Sequence, residues 1–321
     1  MRVTICQTTP RLFALEENLE EVIDRINHWR EQGAELIIFP ELALTGYFVG
    51  ARYHELSLRL DSPQVKRLAA ATKGTAAVIG FIEESRSMNF YNAALVAVDG
   101  EIQFCYRKIN LPNYGVFEEK KFFSGGKRVP VFRLGAFNVA VFICNDLWHP
   151  SLPYLGITQK ADIFVTIFNS SQGSMGDEFC NIESWQIINK FYARIFGIYN
   201  LCANRVGEEG PEKKREVDLR QEGEPREAAE IREPAERYRF WGGSEIINPF
   251  GQRVVQAKLH QPDEITGEID REMLRRKRIV LPYLRNDDPQ FTLAELKRVL
   301  EVDKQYVSRR EMRKIVRGEK Y

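Results

Sequence analysis

The sequence predicts an α/β protein whose mixed β-sheets are covered by helices, and two observations support that prediction. Short apolar runs typical of buried strands alternate with amphipathic helical patterns along most of the chain. Helical patterns separate some of these strands, whereas tight turn signals such as Asp99-Gly100 separate others and indicate hairpins. Because both kinds of connection occur, we expect a mixed sheet assembly. The 321 residues, 44% of them hydrophobic, suffice for a large core.

The individual elements follow from the spacing of the apolar residues. Residues 18–32 place Leu19, Val22 and Ile26 at helical spacing, and residues 34–40, apolar apart from Glu35, have the pattern of a strand that is buried on both faces. The same criteria, applied along the chain, predict helices at 18–32, 63–72 and 181–196. They predict strands at 3–7, 34–40, 76–83, 91–98, 102–107, 137–144, 162–169, 198–203, 244–248 and 254–257.

Two segments differ in composition from the rest. Residues 207–239 contain 19 charged residues in 33, eleven acidic and eight basic, and we expect a solvated insertion that is partly helical between 216 and 237. The tail has an apolar stripe behind a sequence typical of a helix-capping box at 292–295. The predicted division is a main domain at 1–283, which includes the insertion, and a helical extension at 284–321. That extension packs either on its own domain or on a partner subunit.

Charge and hydropathy argue against several classes of protein. The net charge of +1 provides no electrostatic footprint for nucleic acid or for an anionic membrane. Apolar stretches such as 34–39, which is interrupted by Glu35, and 139–144 are too short to span a bilayer. The N-terminus starts with a strand pattern rather than a signal peptide. Five cysteines without metal-type spacing predict free thiols. We therefore expect a cytoplasmic protein without a nucleic-acid or membrane partner.

Three polar residues end apolar strands, where open sheets place reactive groups. Glu41 follows the run 35–40, Lys108 follows 104–107, and Cys144 follows 139–143. Singly, each has a plainer interpretation, as a helix-terminal charge, a rim charge and a small core residue. Together they are a carboxylate, an ammonium and a thiol, which are the parts of covalent acyl transfer.

The sequence around these residues resembles the signature blocks of the nitrilase, or carbon–nitrogen hydrolase, superfamily. The three blocks are Phe39-Pro40-Glu41-Leu42-Ala43-Leu44-Thr45-Gly46-Tyr47, Tyr106-Arg107-Lys108-Ile109-Asn110-Leu111 and Ile143-Cys144-Asn145-Asp146-Leu147-Trp148. Supporting words at 117–123, 204–207 and 241–244 occur in the order of the family. Three matching blocks in order are far more specific than one short motif.

The resemblance implies a four-layer αββα sandwich with a Glu-Lys-Cys triad. Glu41 would be the general base and acid, Lys108 the electrostatic stabiliser and Cys144 the nucleophile, while the backbone N–H of Asn145 would help Lys108 to hold the oxyanion. A second glutamate would orient the substrate and Lys108; Glu119 matches this position best, although a slip of one residue would make it Glu118. The family needs no metal or organic cofactor, and a homodimer or larger homo-oligomer is implied.

The substrate is predicted less sharply. Residues that would line or orient the pocket are Tyr47, Asn113, Tyr114, Trp148, His149, 169–175 and the insertion after Arg205. The polar run that starts at Asn169 and the presence of Asn145 after the nucleophile favour an amide or N-carbamoyl compound over a nitrile. Hydrolysis of a nitrile remains the alternative among enzymes. Residues 111–117 also resemble the glutaminase domain of glutamine-dependent NAD synthetases, so a glutaminase subunit that supplies ammonia to a partner synthetase is a further alternative.

Overall fold

The structure is a computed structural model that describes residues 1–174, 180–216, 230–234 and 237–301. The chain divides into two compact units, Met1–Leu281 and Pro282–Tyr321. The strands are β1 (Arg2–Gln7), β2 (Leu36–Ile38), β3 (Ala76–Glu84), β4 (Phe90–Val98), β5 (Glu101–Arg107), β6 (Val131–Leu134), β7 (Phe137–Ile143), β8 (Ile163–Phe168), β9 (Ser171–Gln172), β10 (Tyr199–Asn204), β11 (Val206–Glu209), β12 (Glu212–Glu216), β13 (Glu230–Pro234), β14 (Tyr238–Trp241), β15 (Glu245–Ile247), β16 (Arg253–Gln256) and β17 (Asp263–Glu268). The helices are α1 (Leu15–Glu31), α2 (Pro63–Ala71), α3 (Glu119–Phe122), α4 (Ser151–Thr158), α5 (Asn181–Phe196), α6 (Arg271–Val280) and α7 (Tyr283–Asn286), with 3₁₀ turns at Gly50–His54 and Cys144–Trp148.

Two mixed six-stranded sheets form the main unit. Sheet A has the order β17-β1-β2-β3-β4-β5, and sheet B has the order β16-β15-β10-β8-β7-β6. In sheet A, β1, β2 and β3 are parallel, and in sheet B, β7, β8 and β10 are parallel; the outer strands of both sheets pair antiparallel. The predicted mixture of helical connections and hairpins is therefore confirmed.

The sheets pack face to face, and helices cover their outer faces. Ile5 and Val78 of sheet A share one hydrophobic core with Val141 of sheet B. A second core joins the other face of sheet A to α1 and α2. On the outer face of sheet B, α4 and α5 both lie against Phe164, and the ring of Phe196 in α5 contacts it directly. The layers run helix, sheet, sheet, helix, which confirms the predicted αββα sandwich.

The charged insertion starts and ends inside the main unit. Strand β11 at the start of the insertion pairs with β14 at its end. Strand β14 also pairs with β9, so the three strands form a small sheet. Glu209 and Tyr238, which lie opposite each other in this sheet, are both buried. Between them, β12 and β13 form an antiparallel hairpin, so the helix expected from 216 to 237 is wrong for Glu230–Pro234; residues 217–229 and 235–236 lie outside the described residues.

In the second unit, residues 289–301 are helical. The carboxylate of Asp288 accepts hydrogen bonds from the backbone N–H groups of Gln290 and Phe291, both at 3.0 Å. The helix thus begins before Thr292, and the predicted capping box at 292–295 is wrong because Asp288 caps the helix instead. Among the described residues, no helix is long and apolar enough to cross a membrane.

Candidate active site

Three strand ends meet at one edge of the sandwich. Glu41 follows β2 and Lys108 follows β5 in sheet A, whereas Cys144 follows β7 in sheet B. Lys108 Nζ lies 2.7 Å from Glu41 Oε1, and both side chains are fully buried. The backbone N–H of Asn169, at the end of β8, donates to Glu41 Oε2 at 2.8 Å and also interacts with the Cys144 thiol. The structure thus brings together the three predicted residues, which are far apart in sequence.

A tight turn after β2 presents Glu41 to this edge. Leu42 has a φ of 48°, a left-handed conformation that non-glycine residues rarely adopt. The turn lies directly on β3 at Gly80, where a Cβ atom would come within 2.3 Å of the carbonyl oxygen of Pro40. Because only glycine leaves room there, Gly80 allows the turn that carries Glu41 to approach the sheet.

Lys108 lies between two carboxylates. Besides Glu41, its ammonium donates to Glu119 Oε1 at 2.7 Å. Asn92 of β4 donates to Glu41 Oε1 at 2.7 Å and to Glu119 Oε2 at 3.4 Å, so it links the two carboxylates on their other side. The hydroxyl of Tyr47 donates to Glu119 Oε1 at 2.8 Å. We call Glu41, Asn92, Lys108 and Glu119, with Tyr47, the charge cluster.

Burial and charge act in opposite directions on the titration of this cluster. Burial by itself lowers the pKa of Lys108, but the carboxylates of Glu119 and Glu41 outweigh it and raise that pKa well above its usual range. Burial raises the pKa of Glu119 to about 7, although the Lys108 ammonium opposes the shift. Lys108 therefore stays cationic at neutral pH, whereas Glu119 titrates near neutrality.

Cys144 directly follows β7 and is the first residue of the 3₁₀ turn Cys144–Trp148. Its φ is 47°, which is again a left-handed conformation in a residue with a side chain. Burial raises the pKa of its thiol well above the ordinary value, and the carboxylate of Glu41 raises it further. The resting thiol is therefore protonated, and it needs a neighbouring base to become a nucleophile.

The thiol opens into a small cavity of about 70 Å³, which is large enough for only a few water molecules. Of the predicted pocket residues, Tyr114, Asn145, Trp148, Asn169 and Ser170 line it together with Cys144. Residues that the sequence reasoning missed also line it, namely Pro112, Phe117, Asn181 and Trp185. Asn113 and His149 are exposed and do not line it, and Met175 lies outside the described residues.

Two amide side chains define the polar part of this cavity. The Asn145 carboxamide accepts from the hydroxyl of Tyr114 at 2.8 Å and donates to the carbonyl oxygen of Asn110 at 3.1 Å. Asn169 is 1% exposed, yet neither atom of its side-chain amide has a hydrogen-bond partner among the described residues. A buried amide without partners is costly, so one that faces a cavity is poised to bind a polar ligand.

Tyr47 lies on the other side of the cluster. It contacts Glu119 rather than the cavity at Cys144, and it borders a second, larger cavity of about 810 Å³. The structure also separates the two candidate glutamates: Glu119 is 4% exposed and bonded to Lys108, whereas the side chain of Glu118 is 60% exposed and bonded to Lys121. The buried position therefore belongs to Glu119.

Asp146 is a buried site residue that the sequence reasoning did not single out. Its Oδ2 accepts from the hydroxyl of Tyr106 at 2.8 Å, and its Oδ1 accepts from the backbone N–H of Asn110 at 2.8 Å. It thereby fastens the turn that carries Cys144 to the chain that follows Lys108. Burial raises the pKa of Asp146 to about 6. The sequence carried a signal for Asp146 and for Asn92, which was also missed. Both are polar residues at or next to buried apolar strands, and buried polar residues need hydrogen-bond partners.

Within the described ranges, no group of three or more His, Cys, Asp or Glu side chains could hold a metal ion. The arrangement instead offers acid–base and nucleophilic groups: a thiol, a carboxylate next to it and a fixed ammonium. An αββα sandwich that gathers such groups at its strand ends has the design of a hydrolytic enzyme with a cysteine nucleophile.

The chain belongs to the carbon-nitrogen hydrolase family, whose model matches residues 2–279. A glutamine-dependent NAD(+) synthetase of Thermotoga maritima is 40% identical over 156 residues, which are 48% of this chain and 27% of that protein. A protein of the same name from Acinetobacter baylyi is 26% identical over 279 residues, which are 87% of this chain and 46% of that protein. The chain thus spans less than half the length of these relatives.

A solved structure shows the same fold. A mutant of the Nesterenkonia AN1 amidase, from the nitrilase superfamily, matches with a TM-score of 0.66 and 22% sequence identity, over 88% of this chain and 95% of that one. The protein is therefore a carbon–nitrogen hydrolase of the nitrilase fold.

Proposed function

We propose that this enzyme hydrolyses a small linear carboxamide or N-carbamoyl compound and releases ammonia through a thioester at Cys144. The observation that carries the proposal is the contact of the buried Glu41 carboxylate with both Lys108 and the N–H of Asn169, beside the Cys144 thiol. Cys144 lines the small cavity, and Glu41 and Lys108 lie behind it in the buried charge cluster, which supports a nucleophile served by a base and a cation. In the proposed roles, Glu41, Lys108 and Cys144 are the catalytic residues.

The first half of the reaction forms the thioester. Glu41 takes the thiol proton as the Cys144 sulfur attacks the carbonyl carbon, and the carbonyl oxygen becomes an oxyanion. Lys108 and the backbone N–H of Asn145 stabilise that oxyanion. When the C–N bond breaks, protonated Glu41 returns its proton to the nitrogen, and ammonia leaves.

The second half releases the acid, which for an N-carbamoyl substrate is a carbamic acid that loses carbon dioxide to give the amine. A water molecule enters the position that ammonia has left, and Glu41 takes its proton as the oxygen attacks the thioester carbon. Collapse of this second tetrahedral intermediate breaks the C–S bond, and the thiol regains a proton from Glu41. In the resting site the carboxylates of Glu119 and Glu41 raise the pKa of Lys108 well above its usual range. While Glu41 holds the proton, the oxyanion is the second negative neighbour, so Lys108 keeps its charge.

The cavity favours a substrate with a polar head. The unpartnered amide of Asn169 offers one donor group and one acceptor to a carboxamide or ureido group, which presents the complementary atoms. Asn145 and the hydroxyl of Tyr114 add a polar wall, whereas Trp148 provides an apolar one. A nitrile has one acceptor and no donor, so it would leave part of this wall unsatisfied.

A second candidate function is that of a glutaminase subunit which supplies ammonia to a separate synthetase. This candidate is supported by relatives that are named glutamine-dependent NAD(+) synthetases. The match covers only 27% and 46% of the length of two of them. Glutamine carries a terminal carboxamide, so the same chemistry would serve both functions. The two differ in whether a partner protein is needed for full activity.

One experiment separates these functions. We would incubate the purified protein with matched panels of carboxamides (glutamine included), N-carbamoyl amino acids and nitriles, and measure ammonia and product mass. We expect turnover of members of the first two panels and a mass adduct on Cys144 when the reaction is quenched early. Turnover restricted to nitriles would overturn the proposal. Weak glutamine turnover that a co-purifying synthetase stimulates would favour the glutaminase subunit.

Glu119 and Glu118 offer a test of the second glutamate. We expect Glu119→Gln to lower kcat about 10- to 100-fold, because Lys108 loses one of its two carboxylate partners and shifts within the site. The control Glu118→Gln alters an exposed side chain and should leave kcat unchanged. Steady-state kinetics of the two variants checks this, and equal activities would contradict the assignment.

We also expect Glu119→Gln to change how the free energy of unfolding depends on pH. Folding raises the pKa of Glu119 from 4.5 to about 7, so the folded protein holds a proton that the unfolded chain has lost. The contribution of this group to the free energy of unfolding therefore falls as pH rises from about 4.5 to about 7. Glu119→Gln removes that fall. Urea denaturation at about pH 5 and pH 7 measures it, and identical changes in wild type and variant would contradict the prediction.

We also propose that the enzyme is a homodimer or a larger homo-oligomer. On α5, Ile187, Phe191 and Ile195 form an exposed stripe at intervals of four residues, with exposures of 61%, 51% and 37%, and Leu155 of α4 is 47% exposed. Such a stripe favours a protein–protein contact. We expect Phe191→Glu to shift the protein towards monomer in light scattering, whereas Met88→Glu, at an isolated exposed position, should not. A monomeric wild type would disprove the proposal.

A further inference from the structure

The first strand of the charged insertion reaches the charge cluster through one buried carboxylate. Glu209, the last residue of β11, is 5% exposed. Its Oε1 accepts hydrogen bonds from the backbone N–H groups of Tyr47 and Phe48, both at 2.6 Å. Two charge-assisted bonds to adjacent N–H groups fix the backbone at Tyr47 more firmly than neutral bonds would.

Arg205 holds that carboxylate in place. It is 1% exposed, and its guanidinium is ion-paired with Glu209 and donates to the carbonyl oxygen of Pro10 at 3.0 Å. The guanidinium also stacks over the ring of Phe240, 4.4 Å from its centroid. A buried ion pair is stable only when such further bonds satisfy both partners. Arg205 and Glu209 are therefore a fixed pair rather than a mobile surface contact.

The chain before Tyr47 is shaped to receive Glu209. Gly46 has a φ of 78°, and a Cβ atom there would lie 2.9 Å from Glu209 Oε2. Glycine therefore allows the carboxylate to approach the backbone of this loop. At the opposite end of the Tyr47 side chain, the hydroxyl donates to Glu119 Oε1, which also accepts from Lys108.

We propose that Glu209 is a positioning residue for the proposed hydrolysis, which acts through Tyr47 on Glu119 and Lys108. This inference rests on the proposed function. It also gives the insertion a role, because its two end strands contact both sides of the site. β11 holds the Tyr47 loop through Glu209, and β14 pairs with β9, which closely follows Asn169.

The test is a double-mutant cycle on kcat with Glu209→Gln and Tyr47→Phe. Glu209→Gln keeps the shape but removes the charge that holds the loop, and Tyr47→Phe removes the hydroxyl that bonds Glu119. We expect each variant to lower kcat about tenfold with little change in KM. Because both act along one path, the double variant should lose little more than either single variant.

A matched control separates positioning from stability. Glu245 is also a buried glutamate, paired with Arg253 at 2.7 Å and bonded to Asn189, but it has no contact with the charge cluster. We expect Glu245→Gln to lower the melting temperature as Glu209→Gln does and to leave kcat unchanged. A Glu209→Gln variant that keeps its kcat, or losses that multiply to about a hundredfold in the double variant, would overturn the inference.

A second readout does not depend on the natural substrate. Alkylation by iodoacetamide, followed by peptide mass mapping, reports the reactivity of Cys144, with the exposed Cys180 as the internal reference. We expect Glu209→Gln to slow alkylation of Cys144 several-fold relative to Cys180, and an unchanged ratio would count against the inference. If Cys144→Ala retains turnover, the proposed function itself fails, so the two failures are distinguishable.

Discussion

Cys144→Ala should abolish turnover, with a loss of about 10⁴-fold or more, while the protein stays folded. Without the sulfur no thioester can form, and the remaining groups can only bind and polarise the substrate. The thiol is half-buried next to a small cavity, so loss of one sulfur atom should cost little packing. Product formation, the melting temperature and light scattering are the measurements.

The control for this variant is Cys202→Ala. Cys202 is also on sheet B, in β10, and is fully buried, but it does not line the cavity at Cys144. We expect Cys202→Ala to keep its activity even if it loses some stability. Turnover by Cys144→Ala near the wild-type rate would disprove the nucleophile assignment. If both variants lost activity but stayed folded, the loss in Cys144→Ala would not be specific to the nucleophile.

Glu41→Gln should have the next largest effect, a loss of about 10³- to 10⁴-fold in kcat. A carboxamide cannot accept the thiol proton, and burial keeps that thiol protonated without a base. The substitution also places an NH₂ group among donors, since the Glu41 carboxylate accepts from Asn92, Lys108 and the N–H of Asn169. The rate of Cys144 alkylation should therefore fall together with kcat.

Glu83→Gln is the matched control for Glu41→Gln. Glu83 is a buried glutamate of sheet A that accepts two hydrogen bonds from Arg107, both at 2.6 Å, outside the charge cluster. Loss of that ion pair should lower the melting temperature without a comparable loss in kcat. If Glu41→Gln kept more than a tenth of the wild-type kcat while remaining folded, Glu41 would not be the general base.

The elements with a strong local pattern were predicted well. The helix predicted at 181–196 matches α5, and the strands at 3–7, 76–83 and 137–144 agree with β1, β3 and β7 to within about one residue. Two of the four edge strands were missed, β6 and β17, whereas the edge strands β5 and β16 were predicted. β6 is only four residues long and includes Arg133, and β17 is largely polar, so neither has the long apolar run of a buried strand. β2 is shorter than predicted because the chain turns after Phe39 to present Glu41.

The hydrogen bonds around Lys108 could not be predicted from local sequence patterns. Asn92 bonds Glu41 across 51 positions of sequence, and Glu209 bonds Tyr47 across 162. Neither partner lies within the same helix or strand, so no periodicity relates them. Tyr47 was predicted as a substrate-binding or orienting residue, and only the structure shows that its hydroxyl bonds Glu119.

The amino-acid sequence by itself determined the α/β class, the order of the main elements and the three residues at strand ends, because apolar periodicity and short motifs depend on neighbours in the chain. Only the tertiary structure decided that Glu119 rather than Glu118 faces Lys108, that Asn92 joins the two carboxylates and that Asn169 has an unpartnered amide at the cavity. The physical reason is that hydrogen bonds and burial at this site depend on how two separate sheets pack against each other, and no local pattern encodes that packing.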